Sequence, residues 1–210
     1  MARPAAHAVP SAPPSSRREQ LLDAAERAVR AHGPHVTMED FAAEAGITKP
    51  ILYRHFGSKG GLYRALAERF TTRFLHENSR LIRGVTDPRR RMVKTFDVYL
   101  SWVEDNPDYY RFLARHATYE QPEAKAAIAV YVHLLAGEVA AVMRADLVRA
   151  GIDDTPAEAW AYGIIGFVQL ATDRWLEHPT MPRRHFVEAL VTLLWDGFVG
   201  MARASAEGGP

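Results

Sequence analysis

The stretch TMEDFAAEAGITKPILYRHFGSKGGLY, residues 37–63, predicts two short helices joined by a tight glycine turn. Thr37 is a helix-capping residue, and Asp40 stands three positions later, where the partner of a capping box belongs. Gly46 follows where a left-handed residue ends a helix, and Thr48 is positioned to cap the next one. A short turn between two such helices is typical of a helix-turn-helix unit, so we expect this stretch to bind DNA.

The second helix of the pair has two faces of different character. Leu52 and Phe56 stand four residues apart and are expected to pack against the first helix, whereas Lys49 and Tyr53 share another edge. The residues beside this second edge are Pro50, Arg54 and His55. A basic surface that also carries a ring suits phosphates and the base edges of a major groove.

Residues 37–59 match the pattern T-x-x-x-[FI]-A-x-x-A-G-[IV]-[ST]-K-P-x-L-Y-R-H-F-x-S-K, which resembles the signature of the TetR family of transcriptional regulators. The resemblance implies contacts to bases or adjoining phosphates from Thr48, Lys49, Pro50, Tyr53 and His55. It implies contacts to the DNA backbone from Thr37, Arg54 and Lys59. Outside this pattern, the same residues would indicate an ordinary solvated helix face, and packing beside Phe56 is an alternative role for His55.

The chain departs from the family pattern directly after Lys59, where Gly60 and Gly61 replace the usual helix-forming residues. Each glycine in a helix costs up to about 1 kcal/mol relative to alanine. The sequence therefore does not fix the residue at which the following helix begins. We expect a loose junction here that tunes the coupling between DNA binding and the rest of the chain.

Composition and charge narrow the classes of protein to consider. The 210 residues are 48% hydrophobic and include no cysteine, which excludes disulfides and thiolate metal sites. No apolar run approaches the ~18 residues of a membrane span, so we expect a cytoplasmic protein without a membrane partner. The net charge is +1, but residues 1–64 carry nine Lys and Arg against six Asp and Glu. The positive end thus coincides with the helix-turn-helix pattern, as contact with phosphates requires.

The apolar periodicity is helical throughout, which predicts an all-α fold of about nine helices and no strand. Four segments are expected: a disordered arm (1–16), a three-helix DNA-binding domain (17–63), a helical effector-binding and dimerisation domain (64–204) and a flexible tail (205–210). The arm contains prolines, alanines and serines, and it either touches DNA or is inert. Thr155 and Pro156 are expected to cap and begin the penultimate helix.

The last two helices are apolar on more than one face, which predicts that a partner subunit covers them. The residues concerned are Trp160, Ile164, Phe167 and Leu170, followed by Phe186, Leu190, Leu193, Leu194, Trp195 and Phe198. The resemblance implies the same interface, a four-helix dimer. Packing within one chain is the alternative for some of these side chains.

Aromatic residues of the larger domain are candidate ligand contacts, because the resembled fold surrounds an internal cavity with its helices. The candidates are Phe96, Tyr99, Trp102, Tyr109, Phe112, Tyr131 and Phe167. Together they suit a hydrophobic or aromatic small molecule, although each one alone is more typical of ordinary core than of a ligand contact. Arg111, Arg115 and His116 are either receptors for an acidic effector group or ordinary surface charges.

The predicted function is therefore a ligand-responsive regulator, a repressor that binds palindromic operator DNA as a dimer and releases it when a hydrophobic effector binds. No catalytic or metal-binding motif occurs among the nine histidines, which argues against an enzyme and against a cofactor. A helical small-molecule-binding or interaction protein that does not bind DNA is the remaining alternative.

Overall fold

The structure, a computed structural model, describes residues 16–115 and 122–207, with side chains for 16–114 and 132–197. These residues form nine α-helices and one 3-10 turn, Gly33–His35, with no strand among them. The helices are α1 Arg17–His32, α2 Met38–Glu44, α3 Lys49–Phe56, α4 Lys59–Ile82, α5 Pro88–Asp105, α6 Pro107–Arg115, α7 Pro122–Arg149, α8 Ala157–Glu177 and α9 Arg183–Glu207. The all-α prediction is confirmed for the described ranges. The predicted arm, apart from residue 16, and the side chains of Tyr131, Arg115, His116 and Phe198 lie outside them.

A side-chain cap fixes the start of α2, as the sequence predicts. Thr37 Oγ1 accepts from the Asp40 amide at 3.3 Å, and Asp40 Oδ2 accepts in return from the Thr37 amide at 2.8 Å. This confirms the capping box of α2. Gly46 then adopts a left-handed backbone with φ of 62°, which lets the chain turn from α2 into α3.

The start of α8 differs from the prediction. Thr155 does not cap this helix, because its hydroxyl donates to Asp153 Oδ1 at 2.7 Å. Pro156 occupies the capping position instead, and α8 begins at Ala157.

One set of buried side chains, the head core, joins α1, α2, α3 and the first half of α4. It also includes Tyr109 and Phe112 of α6. Phe112 is fully buried, with its ring 4.4 Å from that of Tyr63 and 6.0 Å from that of Phe41. Helix α6 therefore contributes to the core of the predicted DNA-binding domain, although it lies more than forty residues further along the chain.

Helix α4 runs from the head core into the larger domain, and ion pairs fasten it to α1. Arg69 of α4 lies against Glu19, Asp23 and Glu26 of α1, and Arg73 Nη1 donates to Glu26 Oε1 at 3.0 Å. The predicted division at residue 63 falls inside α4, whose residues on both sides of that point enter the head core. The boundary therefore remains a prediction.

In the larger domain, α7 packs between α4 and α8, while α5 packs against α9. Trp175 of α8 stacks on Phe186 of α9 with ring centroids 5.0 Å apart, and its indole donates to the Met181 carbonyl at 2.9 Å. No helix in the described ranges is long and apolar enough to cross a bilayer.

Candidate DNA-binding surface and internal cavity

Helix α3 is held by its apolar face and presents its other face to solvent. Leu52 and Phe56 are 1% and 8% exposed and belong to the head core. On the other side, Tyr53 is 38% exposed, and Pro50 and Arg54 are also exposed. The predicted division of α3 into a buried face and an open face is therefore confirmed.

Lys49 begins α3 and forms an ion pair with Glu39, the second residue of α2. The hydrogen bond between them lowers the pKa of Glu39 and raises the pKa of Lys49, so both are charged near neutral pH. Within the described residues, Thr48 makes no side-chain capping bond to α3, which leaves its hydroxyl open to an outside group. A cation, a carboxylate of α2 and a hydroxyl therefore lie at the start of α3.

The remaining predicted DNA contacts lie around this end of the molecule. Thr37 is exposed, but its hydroxyl already serves the α2 cap by donating to Asp40 Oδ2 at 2.7 Å. His55 is half-buried, with its ring 6.5 Å from that of Phe56. Lys59 is the first residue of α4 and has no ion pair within residues 16–114 and 132–197. The assignment of these residues to DNA stays a prediction.

The junction between α3 and α4 is tight, which corrects the expectation of a loose one. Helix α4 begins at Lys59, and Ser58 Oγ caps it by accepting from the Gly61 amide at 3.0 Å. A Cβ on Gly61 would lie 1.8 Å from the Phe56 carbonyl oxygen, far inside any allowed contact. Gly61 is therefore needed for close packing between two helices, because only glycine allows the backbone of α3 to approach this near.

A cavity of about 490 Å³ lies among α4, α5, α6, α7 and α8, with one contribution from α9. Its size is within the range of small-molecule sites, and its wall is mostly apolar. Of the predicted ligand contacts, Phe96, Tyr99 and Trp102 line it. The aromatic lining residues that the sequence prediction missed are Phe70, Phe74, Tyr110, Trp160 and Trp195.

The polar groups on the cavity wall include a tyrosine and an ion pair. The Tyr110 hydroxyl donates to Asp173 Oδ1 at 2.7 Å, and burial is the main cause of a raised pKa for this tyrosine. Arg91 of α5 is paired with Asp146 of α7. The cavity thus offers an apolar space with a few oriented polar groups, which is the usual composition of a ligand site.

Three predicted ligand contacts lie elsewhere. Tyr109 and Phe112 belong to the head core, and the Tyr109 hydroxyl donates to the Leu66 carbonyl at 3.3 Å. Phe167 packs with the cluster of α5, α8 and α9. For Tyr109 and Phe112 the physical reason is that α6 is apolar on two sides, and the sequence does not tell which side meets the cavity. Arg111 is paired with Asp108 on α6 rather than placed in the cavity wall.

The missed lining residues carried a partial signal in the sequence. Phe70 and Phe74 continue the four-residue apolar stripe that begins at Leu62 on α4. A stripe that long exceeds what a small three-helix domain can cover, so its far end must contact another layer. Trp160 and Trp195 were expected in a dimer interface, and periodicity alone does not separate the two locations.

The helix-turn-helix head places this protein in the class of DNA-binding transcriptional regulators. Comparison with known proteins agrees: residues 21–66 match the family described as bacterial regulatory proteins, tetR family, and residues 80–209 match the tetracyclin repressor-like C-terminal domain. The chain belongs to the TetR family, whose members are transcriptional regulators rather than enzymes.

Individual relatives extend over most of the chain. It is 32% identical over 189 residues to the uncharacterized HTH-type transcriptional regulator Rv0472c of Mycobacterium tuberculosis, covering 90% of this chain and 80% of that one. It is 27% identical over 187 residues to the HTH-type transcriptional activator FasR of Mycolicibacterium smegmatis, covering 88% and 84%. The fold resembles that of FadR from Bacillus subtilis in complex with stearoyl-CoA, with a TM-score of 0.67, 14% identity and coverage of 84% and 96%.

Proposed function

We propose that this regulator binds palindromic operator DNA as a homodimer and releases it when a hydrophobic small molecule enters the cavity. The observation that carries the proposal is the apolar cavity of about 490 Å³, whose walls include α4 and α6. Both helices also enter the head core, so a ligand that moves them changes the position of α3. Repression is the proposed outcome, because a protein that occupies promoter DNA blocks transcription. The proposed place of action is the cytoplasm.

A long-chain acyl compound is the first effector to test, because the FadR structure of similar fold contains stearoyl-CoA. The aromatic and aliphatic wall of the cavity suits the acyl chain. A ligand at a hundred times its Kd stabilises the folded state by about 2.7 kcal/mol, which a thermal melt detects readily.

The test of ligand response compares two tryptophan substitutions on α7. Val139→Trp places an indole in the cavity wall, whereas Val148 is 64% exposed and does not line the cavity. With stearoyl-CoA added, wild type and Val148→Trp should gain thermal stability and lose DNA in a gel-shift titration. Val139→Trp should keep DNA binding and respond to neither measurement. An equal response from all three proteins would exclude the cavity as the effector site.

The proposed dimer uses the exposed sides of α8 and α9. Leu170 of α8 and Leu193 of α9 are 72% and 64% exposed in the single chain, although the opposite sides of both helices are buried. Gly163 of α8 is also exposed, and an added Cβ there would meet nothing within 4 Å. Large apolar side chains on an open surface favour an interface, and a twofold dimer matches half-sites one DNA turn, about 34 Å, apart.

The dimer is tested by charge. Leu170→Asp with Leu193→Asp should produce a monomer in analytical ultracentrifugation and weaken binding to a palindromic duplex. Val148→Asp places the same charge on an equally exposed position of α7 and should leave the dimer intact. A double variant that still sediments as a dimer would show that subunits meet through another surface. A promoter-reporter strain would separate repression from activation, the role in the name of the FasR relative.

A further inference from the structure

The ion pair between Glu39 and Lys49 places a carboxylate on the surface that is proposed to face DNA. Glu39 is 64% exposed and Lys49 39% exposed at the side chain, so both are accessible in the free protein. An exposed ion pair adds little to stability. Glu39 also lies in the first turn of α2, where the helix dipole favours a carboxylate, but a phosphate backbone at this position would repel that charge.

Each of the three acidic residues of α2 has a different partner. Asp40 is used in the cap with Thr37, and Glu44 accepts from Arg27 Nε of α1 at 2.7 Å. Glu39 and Glu44 stand five residues apart, about 140° around the helix, so they face different directions. Of these residues, Glu39 points to the edge of α3 that carries Lys49.

DNA presents two kinds of group to such a pair. The phosphate backbone offers only acceptors, which attract Lys49 and repel Glu39. Base edges in the major groove offer donors as well, and the amino group of cytosine is the usual donor to a carboxylate. Where Lys49 leaves Glu39 for a phosphate of arbitrary DNA, the carboxylate is left without a donor. Binding to a site with a suitably placed cytosine replaces the lost bond.

We propose that Glu39 is a specificity-determining residue, which accepts a hydrogen bond from a cytosine amino group while Lys49 contacts an adjacent base or phosphate. The pair keeps both side chains satisfied in the free protein and releases them together at the operator. This inference rests on the proposed DNA contacts of α3. It adds a residue of α2 to the surface that recognises the DNA sequence. The carboxylate of that residue, left without a donor, lowers the affinity for unrelated DNA.

Selection from a duplex library with a randomised 30-base-pair centre tests the proposal. The selection is carried out separately with four proteins: wild type, Glu39→Gln, Glu39→Asp and Glu44→Gln. The affinity of each protein for the enriched duplex and for a shuffled duplex is then measured. Glu39→Gln removes the charge, Glu39→Asp keeps it but withdraws the carboxylate by one methylene, and Glu44→Gln is the control on another face of α2. Circular dichroism verifies that the folded helix content is unchanged.

We expect wild type and Glu44→Gln to require a cytosine at one position of each half-site. Glu39→Gln should lose that preference and bind the shuffled duplex more tightly, lowering the affinity ratio about tenfold, as the loss of one base contact does. Glu39→Asp should lose the cytosine preference but still bind the shuffled duplex weakly. Selection results for Glu39→Gln that equal those of wild type would overturn the inference, as would a Glu39→Asp protein that retains the cytosine. Failure of wild type to enrich any duplex would overturn both this inference and the proposed operator binding.

Discussion

The head core and the cavity wall are built from similar residue types but are packed in opposite ways. In the head core, Leu66 and Phe112 are fully buried, and aromatic rings meet at close range. Around the cavity, Phe74 and Tyr99 are only half-buried and face about 490 Å³ of open space. Dense packing holds α3 in one geometry, whereas an open wall can close around a ligand. From this difference we infer that the head core is rigid and that the region around the cavity is compliant.

The test with the largest expected effect removes one phenylalanine ring from each region. Phe112→Ala should lower the free energy of unfolding by about 3–5 kcal/mol, because a fully packed ring is lost. Phe74→Ala should cost less than half as much, since that ring is half-buried beside empty space. Urea denaturation of both variants checks the order. Equal losses would mean that the cavity wall is as tightly packed as the head core.

The next test concerns the contact between α3 and α4. Gly61→Ala should destabilise the protein by about 3 kcal/mol and weaken DNA binding, because its Cβ would overlap the Phe56 carbonyl. Gly137 of α7 is the control: it is exposed, and a Cβ there would meet nothing within 4 Å. Gly137→Ala should stabilise the protein by up to about 1 kcal/mol through helix propensity. A stabilised Gly61→Ala protein would show that the junction has room to relax.

Two adjacent tyrosines of α6 provide a smaller test. Tyr109→Phe removes a bond to the Leu66 carbonyl in the head core and should cost about 1 kcal/mol. Tyr110→Phe removes a bond to the Asp173 carboxylate at the cavity and should cost about 2 kcal/mol. Isothermal titration with stearoyl-CoA should detect a changed affinity for Tyr110→Phe alone. A changed affinity in both variants would contradict the separation of the two faces.

The smallest expected effect is the pH dependence of the α2 cap. Hydrogen bonds from Thr37 lower the pKa of Asp40 below its usual value. The folded pKa is depressed, so the stabilisation is present above the unfolded pKa of about 3.9 and is lost as pH falls through the folded value. Asp40→Asn should therefore be less stable than wild type at neutral pH, and the difference should shrink below about pH 4. Thermal melts at several pH values check this.

Asp153 is a suitable control for the pH test. Its pKa is also lowered, mainly by the Thr155 amide, but it lies in the loop before α8, far along the chain from the head core. Asp153→Asn should show a similar pH profile and leave DNA binding unchanged. Loss of DNA binding in both variants would argue that the cap of α2 has no particular role in holding α3.

The fold could be predicted from the sequence because its signals are local. The cap at Thr37 and the left-handed turn at Gly46 each depend on only a few neighbouring residues. The two faces of α3 followed from four-residue spacing for the same reason.

The cavity wall and the tight junction could not be predicted, because both depend on contacts between distant segments. Tyr109 and Tyr110 are adjacent and chemically identical, yet one is in the head core and the other faces the cavity. The pair of glycines after Lys59 suggested looseness, whereas the nearby Phe56 carbonyl makes Gly61 a requirement of packing. Periodicity gives the apolar sides of a helix but does not identify the neighbour on each side.

The position of α6 has a consequence for building hybrid sensors. A chimera that joins the first 63 residues of this chain to another sensing domain would leave out Tyr109 and Phe112, which complete the head core. Such a graft needs two transplanted segments, the amino-terminal helices and the inner side of α6. Donor domains should therefore be chosen by the residues that they present at this side of α6, and a fusion point chosen from the linear sequence alone would leave the graft without them.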